Sequence, residues 1–131
     1  MAKSETFRDA DRLSIPVASG TKAGTPLNIN GLNMVTETDR ANTVGVNPVN
    51  NDGSINPDYN WGGGNPDGNA SVSLRGAYVF TVSFAVAAVL TPIYITSGGA
   101  LTATASGNTL YGHALTTKSG SAGPLTVRIA N

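Results

Sequence analysis

The stretch Ser71-Val72-Ser73-Leu74-Arg75-Gly76-Ala77-Tyr78-Val79-Phe80-Thr81-Val82-Ser83 decides the fold. Val72 and Leu74, then Tyr78, Phe80 and Val82, with Phe84 just beyond, alternate with smaller or polar neighbours. That period of two gives a strand one buried and one solvated face. Gly76 interrupts the run and marks a bulge or bend.

The same texture extends outward in both directions. Short segments rich in β-branched residues are separated by Gly, Asn, Asp and Pro, the alternation of strands and turns. Before the central stretch, residues 13–18, 25–29, 34–38 and 43–49 read as strands; after it come 93–96, 101–105, 110–116 and 125–129. The later set is punctuated by Ser97-Gly98-Gly99, Ser106-Gly107-Asn108 and Gly123-Pro124. Residues 84–90, with Ala85, Ala87 and Ala88, have the composition for one or two helical turns, which Pro92 then stops. The fold class expected is all-β.

A faint internal repeat suggests two related halves. Thr25-Pro26-Leu27-Asn28-Ile29 is echoed by Thr91-Pro92-Ile93-Tyr94-Ile95, and the Gly-centred segment 43–49 by 110–116. Between the halves lies a long loop, residues 50–69, made of turn-formers with Tyr59 and Trp61 among them. Loops of that length in compact domains are functional or disordered. Aromatic rings are costly to leave in water and recur as contact anchors, so Tyr59 and Trp61 point to an ordered contact loop. Gly62-Gly63-Gly64 within it reads as loop flexibility, because no Walker-type Lys and Ser or Thr follow.

The charges are few and unevenly placed. Lys3, Glu5, Arg8, Asp9, Asp11 and Arg12 crowd the start, whereas beyond Arg75 only Lys118 and Arg128 are charged. Residues 1–12 therefore read as an extended or weakly helical arm, and residues 13–131 as one β-rich domain. Phe7 is the apolar anchor of that arm, with Arg8 and Arg12 beside it as contact residues. An arm of this kind can add a strand to an exposed sheet edge of a partner.

Composition narrows the function. Hydrophobic residues make up 40% and aromatics 6%, so the core is built from Val, Leu, Ile and Ala. Charged residues reach only 12%, about half the ordinary share, which suits a surface packed against neighbours rather than bathed in water. A net charge of zero leaves no footprint for nucleic acid. The start lacks the apolar core of a secretory signal, and the longest apolar run, residues 84–90, falls far short of the roughly 20 residues that span a bilayer. The expectation is a protein made in a cytosol, with no membrane partner.

Reactive chemistry is hard to assemble from these residues. His113 is the single histidine and cysteine is absent, so a Ser-His, Cys-His or multi-histidine constellation cannot form within one chain. Asp52, Asp58 and Asp67 lack the spacing and closing Glu of a calcium loop. No catalytic residue, metal or cofactor is expected. A carbohydrate-binding or adhesin-type surface around Trp61 and Tyr59 needs no catalytic partner and stays open as an alternative, as does a tail or fibre component.

The C-terminal half carries a family resemblance. Thr91-Pro92-Ile93-Tyr94-Ile95, then Gly99-Ala-Leu-Thr-Ala-Thr-Ala-Ser-Gly-Asn-Thr-Leu-Tyr-Gly-His-Ala-Leu115, closing on Leu125-Thr126-Val127-Arg128-Ile129, resembles the small capsid decoration, or head cement, proteins of tailed bacteriophages. The first half agrees more loosely, through Ser19-Gly20, Gly24-Thr25-Pro26-Leu27, Gly31-Leu32 and the segment around Gly45. The resemblance implies a β-barrel-like or β-tulip/sandwich subunit that forms a homotrimer and binds the major capsid protein on the outside of the head. It implies a role in strengthening the shell against DNA pressure, and a virion location reached after assembly in the host cytoplasm. The charged arm and the loop 50–69 depart from shorter relatives.

Overall fold

The structure, a computed structural model, describes residues 10–131. Its described residues carry antiparallel strands and one short 3₁₀ turn, so the chain is all-β. The strands are β1 (Arg12–Pro16), β2 (Pro26–Ile29), β3 (Leu32–Thr36), β4 (Asn69–Ser73), β5 (Ala77–Val82), β6 (Pro92–Ile95), β7 (Leu101–Thr102), β8 (Thr109–Ala114) and β9 (Gly123–Ile129). They fall into two compact units. One comprises the chain up to Ala23 with Glu37–Ser73, the other Gly24–Thr36 with Leu74–Asn131.

In the first unit β1 pairs with β4, Leu13 facing Val72 and Ile15 facing Ala70. Arg12, expected in the arm, is the first residue of β1, opposite Ser73, and its guanidinium lies 3.4 Å from the Glu37 carboxylate. Phe7 and Arg8 lie outside the described residues. The rest of this unit between Glu37 and Gly68 holds turns, isolated bridges and the 3₁₀ turn Gly62–Gly64, with no strand.

The second unit opens with the β2–β3 hairpin. Asn30 and Gly31 both take positive φ, 52° and 92°, the two-residue turn whose twist matches that of paired strands. β3 therefore begins at Leu32, two residues before the segment that alternation alone suggests. The larger sheet has the order β5-β9-β8-β6-β7. Val35, Phe80, Ile93, Ile95, Leu125, Val127 and Ile129 gather around fully buried Tyr111. Phe80 meets Tyr111 edge to face, with ring centroids 5.9 Å apart. The Tyr111 hydroxyl donates to the Met34 carbonyl at 2.8 Å, which satisfies the polar end of a buried ring. Burial pushes that phenol's pKa up, well beyond its ordinary range.

Gly76 divides the central stretch as its position implies. At φ 103° it separates β4 from β5. Gly112, at the middle of β8, serves close approach instead: a Cβ there would lie 2.1 Å from the Arg128 carbonyl oxygen.

Three expected elements differ. Residues 43–49 form no strand, because the Asp67 carboxylate takes the Thr43 and Val44 amides and Gly45 turns the chain at φ 74°. The second echo of the internal repeat thus joins a turn to a strand and has no structural counterpart. Residues 84–90 form no helical turn: Val86 exchanges two main-chain hydrogen bonds with Lys118, each 3.0 Å, and Leu90 adopts φ 69°. The strand expected at 101–105 stops after Thr102.

Candidate interaction surface

The first unit presents apolar side chains on a framework of polar ones. Asn42 and Asn60 form a main-chain bridge, N to O at 2.7 and 2.9 Å, and the Asn60 side chain donates to Asp39 at 2.8 Å. Asp39 also accepts the Ala23 amide at 2.7 Å. Asp67 accepts the Thr43 amide and hydroxyl and the Val44 amide, at 2.9, 2.7 and 2.6 Å. Asp52 holds Ser54, and Asn56 caps the turn at Asp58 while donating to the Asn47 carbonyl. These short side chains supply hydrogen bonds that a ladder would otherwise supply.

The carboxylates respond to this bonding. Asp67 has its pKa lowered first by the Val44 amide, then by the Thr43 hydroxyl and amide. Asp39 is lowered first by the Ala23 amide and then by Asn60, and Asp52 by the Ser54 hydroxyl. Asp52 and Asp67, weighed above as calcium ligands, thus hold the loop. Among the described residues no cluster of three or more metal-ligating side chains occurs.

On this framework four apolar side chains stand in solvent. Val44 is 81% exposed, Val49 52%, Ile55 83% and Trp61 66%. Val49 and Ile55 face each other across a main-chain bridge, which sets their side chains on one side of the turn. The Trp61 ring lies along Gly64, where a Cβ would come within 3.3 Å of the indole Cζ2. Tyr59 is partly buried, its amide bonded to the Asn56 carbonyl at 3.2 Å.

The glycine triplet is a shape rather than a flexible tether. Gly62, Gly63 and Gly64 all take positive φ, 60°, 67° and 87°. A Cβ on Gly62 would fall 2.5 Å from Ala41, and one on Gly63 2.9 Å from the Thr38 side chain. Asn65 closes the turn, its amide group donating to the Gly62 carbonyl at 2.7 Å and to the Ser71 hydroxyl at 3.1 Å.

His113 lies on β8 opposite Arg128, on a strand face. Both line a cavity of about 390 Å³ in the second unit, whose lining among the described residues includes no carboxylate side chain. Sequence reasoning singled out Tyr59 and Trp61 but missed Val44 and Val49, which it placed in a strand at residues 43–49, and Ile55. For Ile55 the available signal was its setting, a single apolar side chain among turn-formers. Comparison of the chain with family models, with curated proteins and with solved structures finds no match.

Proposed function

We propose that this chain is a structural protein of a phage head, a decoration protein that binds the major capsid protein on the outer surface as a homotrimer and strengthens the shell against internal pressure. The observation that carries this reading is the combination of Val44, Val49, Ile55 and Trp61 in solvent with a loop held in place by Asp39, Asp52, Asp67 and Asn60. A side chain presented on a preorganised loop loses little conformational freedom when covered, so its burial converts efficiently into affinity. Isolated exposed apolar residues are common, but four of them between Val44 and Trp61 on one hydrogen-bonded segment favour a contact surface.

The resemblance of the C-terminal half to head cement proteins supports the same reading, as does the low charge of the chain. Many equivalent copies on one shell turn modest individual contacts into collective resistance to expansion. In this reading the chain acts by holding, with no catalytic step. The test is co-sedimentation of the purified protein with empty heads prepared without it. Saturable binding supports the proposal, and its absence refutes it.

A second reading, a carbohydrate-binding module, rests on Trp61 alone, which is two-thirds exposed. Quenching or protection of Trp61 fluorescence by sugars at millimolar concentration would favour it over the first.

A further inference from the structure

The five-stranded sheet of the second unit has two ends, β5 and β7, and among the described residues no ladder joins them. Both border one groove of about 740 Å³, lined by residues 79–84, by 99–101 and by Gly24 and Pro26. The sheet thus curls toward closure and stops short of it.

The hydrogen-bonding direction of β5 follows from β9. The Thr126 carbonyl accepts from Leu115 and the Ala130 amide donates to Tyr111, so the even-numbered residues of this segment turn toward β8. The Ile129 amide donates to Gly76, so the odd-numbered ones turn toward β5. Tyr78 and Phe80, opposite Val127 and Leu125, therefore bond inward. Val79 and Thr81, opposite Thr126 and Pro124, turn their N–H and C=O groups outward, and no described strand pairs with them.

Such an edge is an aggregation hazard that proteins ordinarily blunt with Lys, Pro or a bulge. β2 opens on Pro26, but Ala77-Tyr78-Val79-Phe80-Thr81-Val82 contains neither charge nor proline and is rich in β-formers. An undefended edge of this kind is suited to being covered in the working state. What covers a row of outward N–H and C=O groups is another strand.

We infer that this groove receives an extended, uncharged segment of the major capsid protein, which bonds to the outer edge of β5 and fills the gap beside β7. The inference rests on the shell-protein reading above. The occupant's composition follows from the lining, which holds no ionisable side chain. Buried Phe80 and Val82 lie along the groove, so a charged residue directed inward would lose its hydration without gaining a partner. The chain's own leading residues, with Lys3, Glu5, Arg8 and Asp9, lack the required composition.

The experiment is hydrogen–deuterium exchange on the wild-type protein, free and bound to empty heads prepared without it, together with co-sedimentation of two variants. The amides of Val79 and Thr81 should exchange rapidly in the free protein and at least 100-fold more slowly on heads. Val79→Lys, at a 65% exposed position, and Thr81→Pro, which deletes an outward donor, should each weaken binding at least tenfold. Val89→Lys, 56% exposed and outside the groove, should leave it unchanged. Protection together with weakened binding supports the inference. Wild-type binding without protection of β5, or with full binding by both variants, overturns the inference and leaves the shell reading intact. Failure of the wild type to bind heads overturns both. A free protein of any oligomeric state with β5 already protected also overturns it, because a second copy then holds the edge.

Discussion

Asn131 and Asn33 clasp each other across 98 positions of sequence: the Asn33 amide donates to the Asn131 Oδ1 at 2.9 Å, and the Asn131 Nδ2 donates back to the Asn33 carbonyl at 2.7 Å. Asn33 is 4% exposed, and its own Nδ2 donates to the Leu110 and Ala130 carbonyls at 2.9 and 2.7 Å. Asn131 donates in addition to the Leu74 carbonyl at 2.8 Å. Two side-chain amides thus tie the β2–β3 hairpin to β8 and to the residues after β9. Replacing Asn33 by Ala removes the donor from two part-buried carbonyls, and each hydrogen bond lost costs about 0.5–1.5 kcal/mol. The midpoint of urea unfolding should fall accordingly for Asn33→Ala and also for Asn131→Ala; an unchanged midpoint would show that the clasp contributes nothing net.

Gly112 tests close packing between β8 and β9. A Cβ at this site would meet the Arg128 carbonyl oxygen at 2.1 Å, so Gly112→Ala must push the two strands apart. Overpacking of this kind costs about 1–3 kcal/mol. Gly120, with nothing within 4 Å of its would-be Cβ, is the control and should tolerate Ala with little change in thermal midpoint.

Lys118 is held by three main-chain carbonyls, Phe84, Ser119 and Ser121, at 3.0, 2.6 and 2.6 Å from its Nζ. The ammonium fastens residues 84–90 to the turn before β9, which the Val86–Lys118 bridge alone would leave narrow. Lys118→Met keeps the aliphatic stem and removes the donors. Amide exchange at Val86 and Lys118 should accelerate about tenfold or more, the two bonds opening together.

Asp67 makes the turn at residues 43–45 sensitive to acid. Its folded pKa lies below the ordinary carboxylate value, lowered chiefly by the Val44 amide. A carboxylate whose folded pKa is depressed contributes stability that is fully present above the unfolded pKa and lost as pH falls through the folded one. Asp39 and Asp52 shift in the same direction. Amide resonances of Thr43 and Val44 should therefore stay constant from neutral pH to about 5 and move only below the ordinary carboxylate range. In Asp67→Asn that acid transition should vanish from Thr43 and Val44, the turn being already loosened at neutral pH.

Much of the strand content was legible because a buried face imposes a period of two: residues 13–18, 25–29, 93–96, 110–116 and 125–129 each overlap an observed strand. The failures have local causes. Residues 43–49 carry a strand's composition, yet Asp67, more than twenty positions away, removes two of their amides from any ladder. The start of β3 was set by the positive φ of Asn30 and Gly31, a turn signal that outweighs alternation. Residues 84–90 were misread because Ala favours a helix only where no tertiary partner competes, and Lys118 competes. In the candidate surface Tyr59 and Trp61 stood out as rings in a polar loop. The exposure of Val44 and Ile55 did not, since it depends on how the loop is pinned by residues from elsewhere in the chain.

Co-sedimentation with empty heads prepared without this protein, for the wild type and for a variant combining Ile55→Ser with Trp61→Ala, is the decisive test of the proposed shell binding. Both positions are largely exposed, 83% and 66%, so the variant should keep the wild-type thermal midpoint within a few degrees. Wild-type binding should be saturable, and the variant should bind at least tenfold more weakly. Heads that ignore the wild-type protein, or that bind both forms equally, would contradict the proposal.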